Sequence, residues 1–183
     1  MVFDYKKEYK EFYLPPKKPG IISIPTMKNI AVRGKGNPND ENGEYQRAMS
    51  ILYPIAYTLK MSPRSGKETE GFFEYVVPPL EGLWWQEGIE GFDYNHKELF
   101  NWISMIRLPD FFTLSDVEWA KGQVKKKKNI DASSLEFFTY EEGLCVQMMH
   151  IGSFDSETES VKMMDEMIEK EGYVNDFSSH SPP

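Results

Sequence analysis

Along one stretch of this chain the apolar residues Tyr45, Ala48, Met49, Leu52, Ile55, Ala56 and Leu59 fall at i, i+3, i+4, i+7, i+10, i+11 and i+14. That stripe at the helical period predicts one long amphipathic helix. A short apolar strand, Asn29-Ile30-Ala31-Val32-Arg33, precedes it and leaves through Gly34-Lys35-Gly36 and a polar loop. The order returns near the other end. Leu144 to Ile151 reads as a strand reaching Gly152, followed by a polar loop and a helix striped by Val161, Met164, Met167 and Ile168. A strand, a glycine exit and an amphipathic helix, used twice, predict a duplicated unit. Pro54 removes a backbone donor inside the first helix and predicts a kink or a break near Tyr53.

The remaining elements come from shorter patterns. Phe12-Tyr13-Leu14 and Ile21-Ile22-Ser23-Ile24 read as strands. Phe72 to Val77 and Leu83 to Gln86, on either side of Pro78-Pro79, predict a β-hairpin. Asn95 with Glu98, and Ser115 with Glu118, have capping-box spacing. They predict one helix carrying Leu99, Phe100, Trp102, Ile103 and Ile106 up to Pro109, and another carrying Trp119 and Val124. Asp110-Phe111-Phe112-Thr113 forms an aromatic loop between them. Leu135 to Tyr140 and the second template strand predict a further hairpin, and Gly172, with Lys170 in the final turn, ends the last helix. The fold class is α+β: duplicated βαββ units forming an antiparallel sheet, with helices on one side.

Composition narrows the function classes. With 183 residues the chain is long enough to bury about 70% of its unfolded surface as one domain. Its units span about 21–90 and about 134–172, with a helical insert over about 94–129. A net charge of −8 disfavours direct binding to nucleic acid, which needs a positive surface. Lys125-Lys126-Lys127-Lys128 ends a predicted helix, where cations complement the dipole and stay solvated. No run is long enough for a membrane helix and the N-terminus lacks a signal peptide, so the expected location is cytoplasmic. The one cysteine, Cys145, sits in an apolar strand and reads as a small buried hydrophobe.

Candidate chemistry is aromatic rather than metallic. His96, His150 and His180 are scattered without zinc spacing, and no cofactor is called for. Twelve Phe, ten Tyr and four Trp exceed what one small core needs, so some should line a cavity. Tyr53 and Tyr57 lie one turn apart on the long helix, and Phe72 begins the predicted hairpin. Trp84 and Trp85 point to opposite faces of their strand, so one can fill the core while the other meets a ligand. Trp102 and Trp119 are either ordinary core or cleft walls. Glu74, between aromatic neighbours, either points at a rim or is an acid held for a ligand.

Ala31-Val32-Arg33-Gly34-Lys35-Gly36-Asn37-Pro38, Leu52 to Lys60, Glu81-Gly82-Leu83-Trp84-Trp85 and Glu142 to Gly152 occur in an order that resembles the GyrI-like small-molecule-binding superfamily. The resemblance implies paired βαββ units with a ligand cleft between the halves. For the free-standing subgroup it implies an aromatic cage for planar, aromatic or cationic xenobiotics. It extends to hydrolases that open the cyclopropane ring of DNA-alkylating natural products. Here the cage would draw on Tyr53, Tyr57, Phe72, Trp84 or Trp85, Trp102 and Trp119. Family members usually continue after the second helix with two strands, the first carrying a carboxylate towards the cleft. Only Tyr173 to Pro183 come after Gly172, so the second half is expected either to lack its closing hairpin or to be cut short. By the repeat, the first-half equivalent of that carboxylate is near Glu74, the candidate catalytic acid. A non-enzymatic effector domain acting on a transcription or topoisomerase protein partner is the alternative.

Overall fold

A computed structural model describes residues 2–89, 91–153 and 156–175 of the chain. In chain order the elements are α1 (Tyr5–Glu8), α2 (Lys10–Tyr13), β1 (Gly20–Ile24), β2 (Met27–Lys35), α3 (Glu44–Lys60), β3 (Leu80–Trp85), β4 (Asn101–Arg107), α4 (Leu114–Lys128), β5 (Glu136–Tyr140), β6 (Gly143–Gln147) and α5 (Thr158–Lys170). The described residues divide into two compact units. One contains 2–5 and 27–140; the other contains 6–26 and the residues after Tyr140. The class is α+β with antiparallel sheets throughout.

The larger unit is built on a four-stranded sheet in the order β3-β4-β2-β5. Its first four elements, β2-α3-β3-β4, make one βαββ. Alternation along the strands sorts the side chains onto two faces. One carries Ile30, Val32, Gly34, Trp102, Ser104, Ile106, Gly82 and Trp84. Helix α3 packs on this face and α4 packs on α3. The α3 stripe is buried as its period requires, at Ala48, Leu52, Ile55, Ala56 and Leu59, and Val117, Ala120 and Val124 of α4 complete the core.

Trp102 on this face needs an absence of side chain beside it. It lies opposite Gly34 in the register, and its indole occupies the place where a Cβ on residue 34 would stand. Tyr45 of α3 meets the same indole edge-on, with ring centroids 5.3 Å apart. The result is a tryptophan only 1% exposed, held between a bare strand position and a helix.

Of the expected kink or break at Pro54 the break does not occur: α3 runs continuously through it. The missing donor falls on the outward side, where Ser50 and Thr58 turn their hydroxyls onto the carbonyls of Arg47 and Pro54. Four other expectations are corrected. Residues 99–108 form no helix: after a short turn at Lys97–Leu99 they are β4, central in the sheet and buried on both faces. A strand covered on both faces carries apolar residues on both, here Trp102, Ile103, Met105 and Ile106, so it satisfies a helical stripe by accident. Residues 72–77 form no hairpin arm. They make one parallel bridge, Phe3 with Tyr75, because the rings of Phe72, Tyr75, Phe111 and Phe112 pack together and β3 starts only after Pro78-Pro79. β5 and β6 do not pair with each other: β5 pairs with β2 and β6 with β1. Residues 12–14 hold the end of α2 rather than a strand, with the Leu14 amide donating back to the Lys10 carbonyl.

The α4 capping box is also displaced, from Ser115 and Glu118 to Thr113 and Asp116. One Asp116 oxygen accepts from the Thr113 amide and hydroxyl, and the other meets the Lys67 ammonium at 2.9 Å. Glu118 instead pairs with Lys121 on the surface. Burial alone would push the Asp116 carboxyl up, but hydrogen bonds from Lys67 and Thr113 hold it below the usual range. Its contribution to stability is therefore complete above the unfolded value of about 3.9 and is lost as pH falls through the lower folded value. Asp116→Ala should lower stability by about 2 kcal/mol at neutral pH. Denaturation from about pH 7 to about pH 3 should show the gap to wild type closing only at the acid end.

In the smaller unit β1 and β6 form a two-stranded antiparallel sheet, with α5 after β6 in the chain. Strand β6 ends at Gln147, short of the expected Ile151. The His150 ring takes over as a clamp. Its Nε2–H donates to the Ser153 carbonyl at 3.0 Å, which leaves Nδ1 to accept from the Ser160 hydroxyl of α5 at 2.9 Å. Gly36 after β2 and Gly152 after β6 both have positive φ, 113° and 153°, so the strand–glycine–helix exit is used twice. Val161, Met164, Met167 and Ile168 are the half-buried stripe of α5, and Gly172, at φ 77°, comes just past its last turn. His180 and the loop expected over residues 178–183 lie outside the described residues. Among those described, no helix is long and apolar enough to cross a membrane.

Candidate functional site

The face of the four-stranded sheet away from α3 is built differently. Its rows run across the strands: Trp85 beside Asn101, Leu83 beside Ile103 and Arg33, and Glu81 beside Met105, Ala31 and Glu136. Below them lie Arg107, Asn29 and Phe138, then Met27 and Tyr140. Ala31, Ile103, Met105 and Phe138 form its buried floor, and Leu83, Trp85 and Tyr140 pack against that floor while staying partly exposed. The face is thus an aliphatic strip with half-open rings at its margins. Apolar and aromatic lining with a few polar groups is the kind of surface a small-molecule site presents.

Trp85 is at one end. It is the last residue of the edge strand β3, and the loop after it is held by Gln86, which is 4% exposed. The Gln86 amide donates to the carbonyls of Asp93 and His96 at 3.1 and 3.0 Å and accepts from the Asp93 amide. Asp93 also bonds the His96 ring at 2.7 Å, which raises the His96 pKa and lowers that of Asp93. Glu81 lies on the same side of β3 as Trp85 and Leu83, four and two residues away, so one carboxylate accompanies the indole along the strip. Nothing in the pattern of the sequence singled out Gln86. Glu81 was accessible by alternation from Trp85 once 80–85 was taken as the strand.

At the other end Phe138 and Tyr140 stack with centroids 5.6 Å apart. Arg33 sits 5.2 Å from the Phe138 ring and pairs with Glu136 at 2.6 Å. Both partners of that pair are well exposed, so it contributes little to stability and sets the polar border of the strip.

The expected ring residues are distributed rather than collected. Trp85 alone stands on the strip. Trp84 is on the helix-covered face, half-buried against Tyr45 and Phe100 at 5.4 and 6.0 Å. The two adjacent indoles therefore do face opposite ways. Trp102 is buried beneath α3. Tyr53 and Tyr57 are 39% and 53% exposed on α3, the helix on the other side of the sheet. Phe72 belongs to the ring cluster of Tyr75, Phe111 and Phe112. Trp119 is on α4, with the Lys67 ammonium 5.6 Å from its ring centre. Glu74 is exposed on the extended segment before β3, where its carbonyl accepts from the Phe3 amide.

Other titratable groups read as structural. Burial pushes the Tyr75 phenol well up, and the Cys145 thiol rises to about 11 through burial and the adjacent Glu142 carboxyl. A thiol held protonated in this way is a poor nucleophile and metal ligand. Among the described residues no three His, Cys, Asp or Glu side chains are grouped as a metal site requires.

Comparison with known proteins places this architecture. None of the curated proteins matches the chain. Several solved structures do. A hydrolase encoded by lin2189 from Listeria innocua is 45% identical, with a TM-score of 0.87 over 94% of this chain and 82% of that one. A second Listeria innocua hydrolase is 43% identical, with a TM-score of 0.85 over 95% of this chain and 87% of its own. An uncharacterized conserved protein from the same organism is 47% identical, with a TM-score of 0.86 over 95% of this chain and 84% of its own. The model of the GyrI-like small molecule binding domain matches residues 17–181. On fold and sequence together, the chain belongs to the GyrI-like family of small-molecule-binding domains.

Proposed function

We propose that the strip around Trp85 binds flat, aromatic or cationic xenobiotics. The observation that carries this reading is the half-open indole at the edge of a buried aliphatic floor, with Glu81 on the same side of its strand. An indole face stacks on planar rings and attracts cations, and the aliphatic floor favours loss of water from both surfaces.

Two structural neighbours are named hydrolases, which supports a hydrolytic step on such a guest. For a cyclopropane conjugated to a carbonyl the step balances without a cofactor. Water attacks a ring carbon, the carbon–carbon bond breaks, and its electron pair moves into the conjugated carbonyl, which takes up a proton. The proton released by water passes to a carboxylate, and we assign that role to Glu81 ahead of the exposed Glu74. The test is titration of tryptophan emission with planar aromatic cations, followed by product analysis with a cyclopropane-bearing alkylator. Quenching is expected, together with ring-opened product that Glu81→Gln reduces about a hundredfold and Glu74→Gln leaves intact. Unquenched emission across a broad panel removes the binding reading. Quenching with the alkylator recovered whole leaves binding without hydrolysis.

A further inference from the structure

We propose that Asn101 is the polar anchor of the Trp85 strip, donating from its side-chain amide to an acceptor oxygen on the bound molecule, so that carbonyl-bearing planar compounds are preferred over plain hydrocarbons. This rests on the reading of the strip as the binding surface. Asn101 is the first residue of β4 and lies directly across from Trp85 in the β3–β4 register, with Ile103 next on the same face. Its Nδ2 is shut off from water and makes no hydrogen bond in the protein. The other buried amides of this unit are satisfied. Asn29 donates to the carbonyls of Met27 and Phe138 at 3.2 and 3.3 Å, and Gln86 donates to Asp93 and His96.

A buried donor without an acceptor has lost its hydration and gained nothing in return. An apolar side chain here would continue the strip formed by Ile103 and Met105, so fold stability does not call for asparagine. A guest whose ring lies on Trp85 and whose carbonyl oxygen turns towards β4 supplies the missing acceptor once the Asn101 amide swings outward, because in its present rotamer no oxygen reaches Nδ2. Sites built to hydrogen-bond one ligand group discriminate against analogues that lack it more sharply than apolar pockets discriminate by size.

Coumarin and naphthalene, bicyclic and flat with and without a carbonyl, are the probes, with affinities read by ligand-observed NMR. The wild-type protein should bind coumarin about tenfold more tightly than naphthalene. Asn101→Leu should bring coumarin down to the naphthalene level, leave naphthalene unchanged or tighter, and not lower the denaturation midpoint. Asn101→Ala provides the same comparison if leucine disturbs the fold. Equal wild-type affinity for the two probes, or an equal loss of both in the variants, overturns the anchor role while leaving the strip as a binding surface. Failure of both probes to bind the wild-type protein removes the strip reading itself.

Discussion

Gly34→Ala is expected to destabilise the protein by about 3 kcal/mol or more. The added Cβ would fall inside contact distance of three Trp102 ring atoms, 2.9 Å from Cε2 and closer to the other two. The indole has nowhere to retreat, because Tyr45 meets it at 5.3 Å and Trp84 lies beside it at 6.4 Å. Either the β2–β4 pairing opens or the α3 helix lifts, and both give up core burial. Gly20→Ala in β1 is the matched control. Nothing lies within 4 Å of the place its methyl group would take, so its effect should stay within about 0.5 kcal/mol. Guanidinium denaturation of the two variants beside wild type checks the pair. Near-equal midpoints would show that the Trp102 indole has a second place to go.

Trp85→Ala is expected to weaken planar-ligand binding about a hundredfold, as truncation of the main aromatic anchor does. Its effect on folding should be smaller than that of Trp102→Ala, for which about 3–5 kcal/mol is expected from full burial. The contrast separates the two roles that tryptophan plays in this unit. Titration of the Trp85→Ala variant, with Trp85→Phe as the conservative partner, should show binding lost in the first and largely kept in the second. If Trp85→Ala binds planar cations as wild type does, the ligand surface lies elsewhere. If Trp102→Ala loses binding while keeping its stability, the helix-covered face is the better candidate.

The elements that could be read from sequence are those whose pattern matches a single period. The α3 stripe has alternative faces that differ in polarity, so only a helix with one side inward satisfies it. β2 was visible for a related reason, a short apolar run ending in glycine and leading into that stripe. β4 was not visible. Leu99, Phe100, Trp102, Ile103 and Ile106 fit a helix, and only pairing with β2 and β3 on both sides makes 101–107 a strand. Phe72 to Val77 failed in the opposite sense: the residues favour a strand, yet Pro78-Pro79 and the packing of their own rings leave them without a ladder.

The site was half legible. That Trp84 and Trp85 face opposite ways comes from strand geometry alone. Which of them is turned to the strip depends on where α3 lies, and α3 is held there by its buried stripe from Ala48 to Leu59, with Tyr45 against Trp84 and Trp102. The carboxylate we propose for the strip is Glu81 rather than Glu74 because the strand begins only at Leu80.

By itself the sequence determined the α+β class, the reuse of a strand–glycine–helix exit, the long amphipathic helix and the opposite facing of Trp84 and Trp85. These are local matters of period, backbone freedom and side-chain type. Tertiary structure alone decided that 101–107 is a central strand, that β5 and β6 belong to different sheets, and that Trp85, Glu81 and Asn101 share one face. Those outcomes depend on which distant strands exchange hydrogen bonds. Residues near in sequence carry no record of that choice, because an apolar segment is equally content against any partner that excludes water and satisfies its backbone.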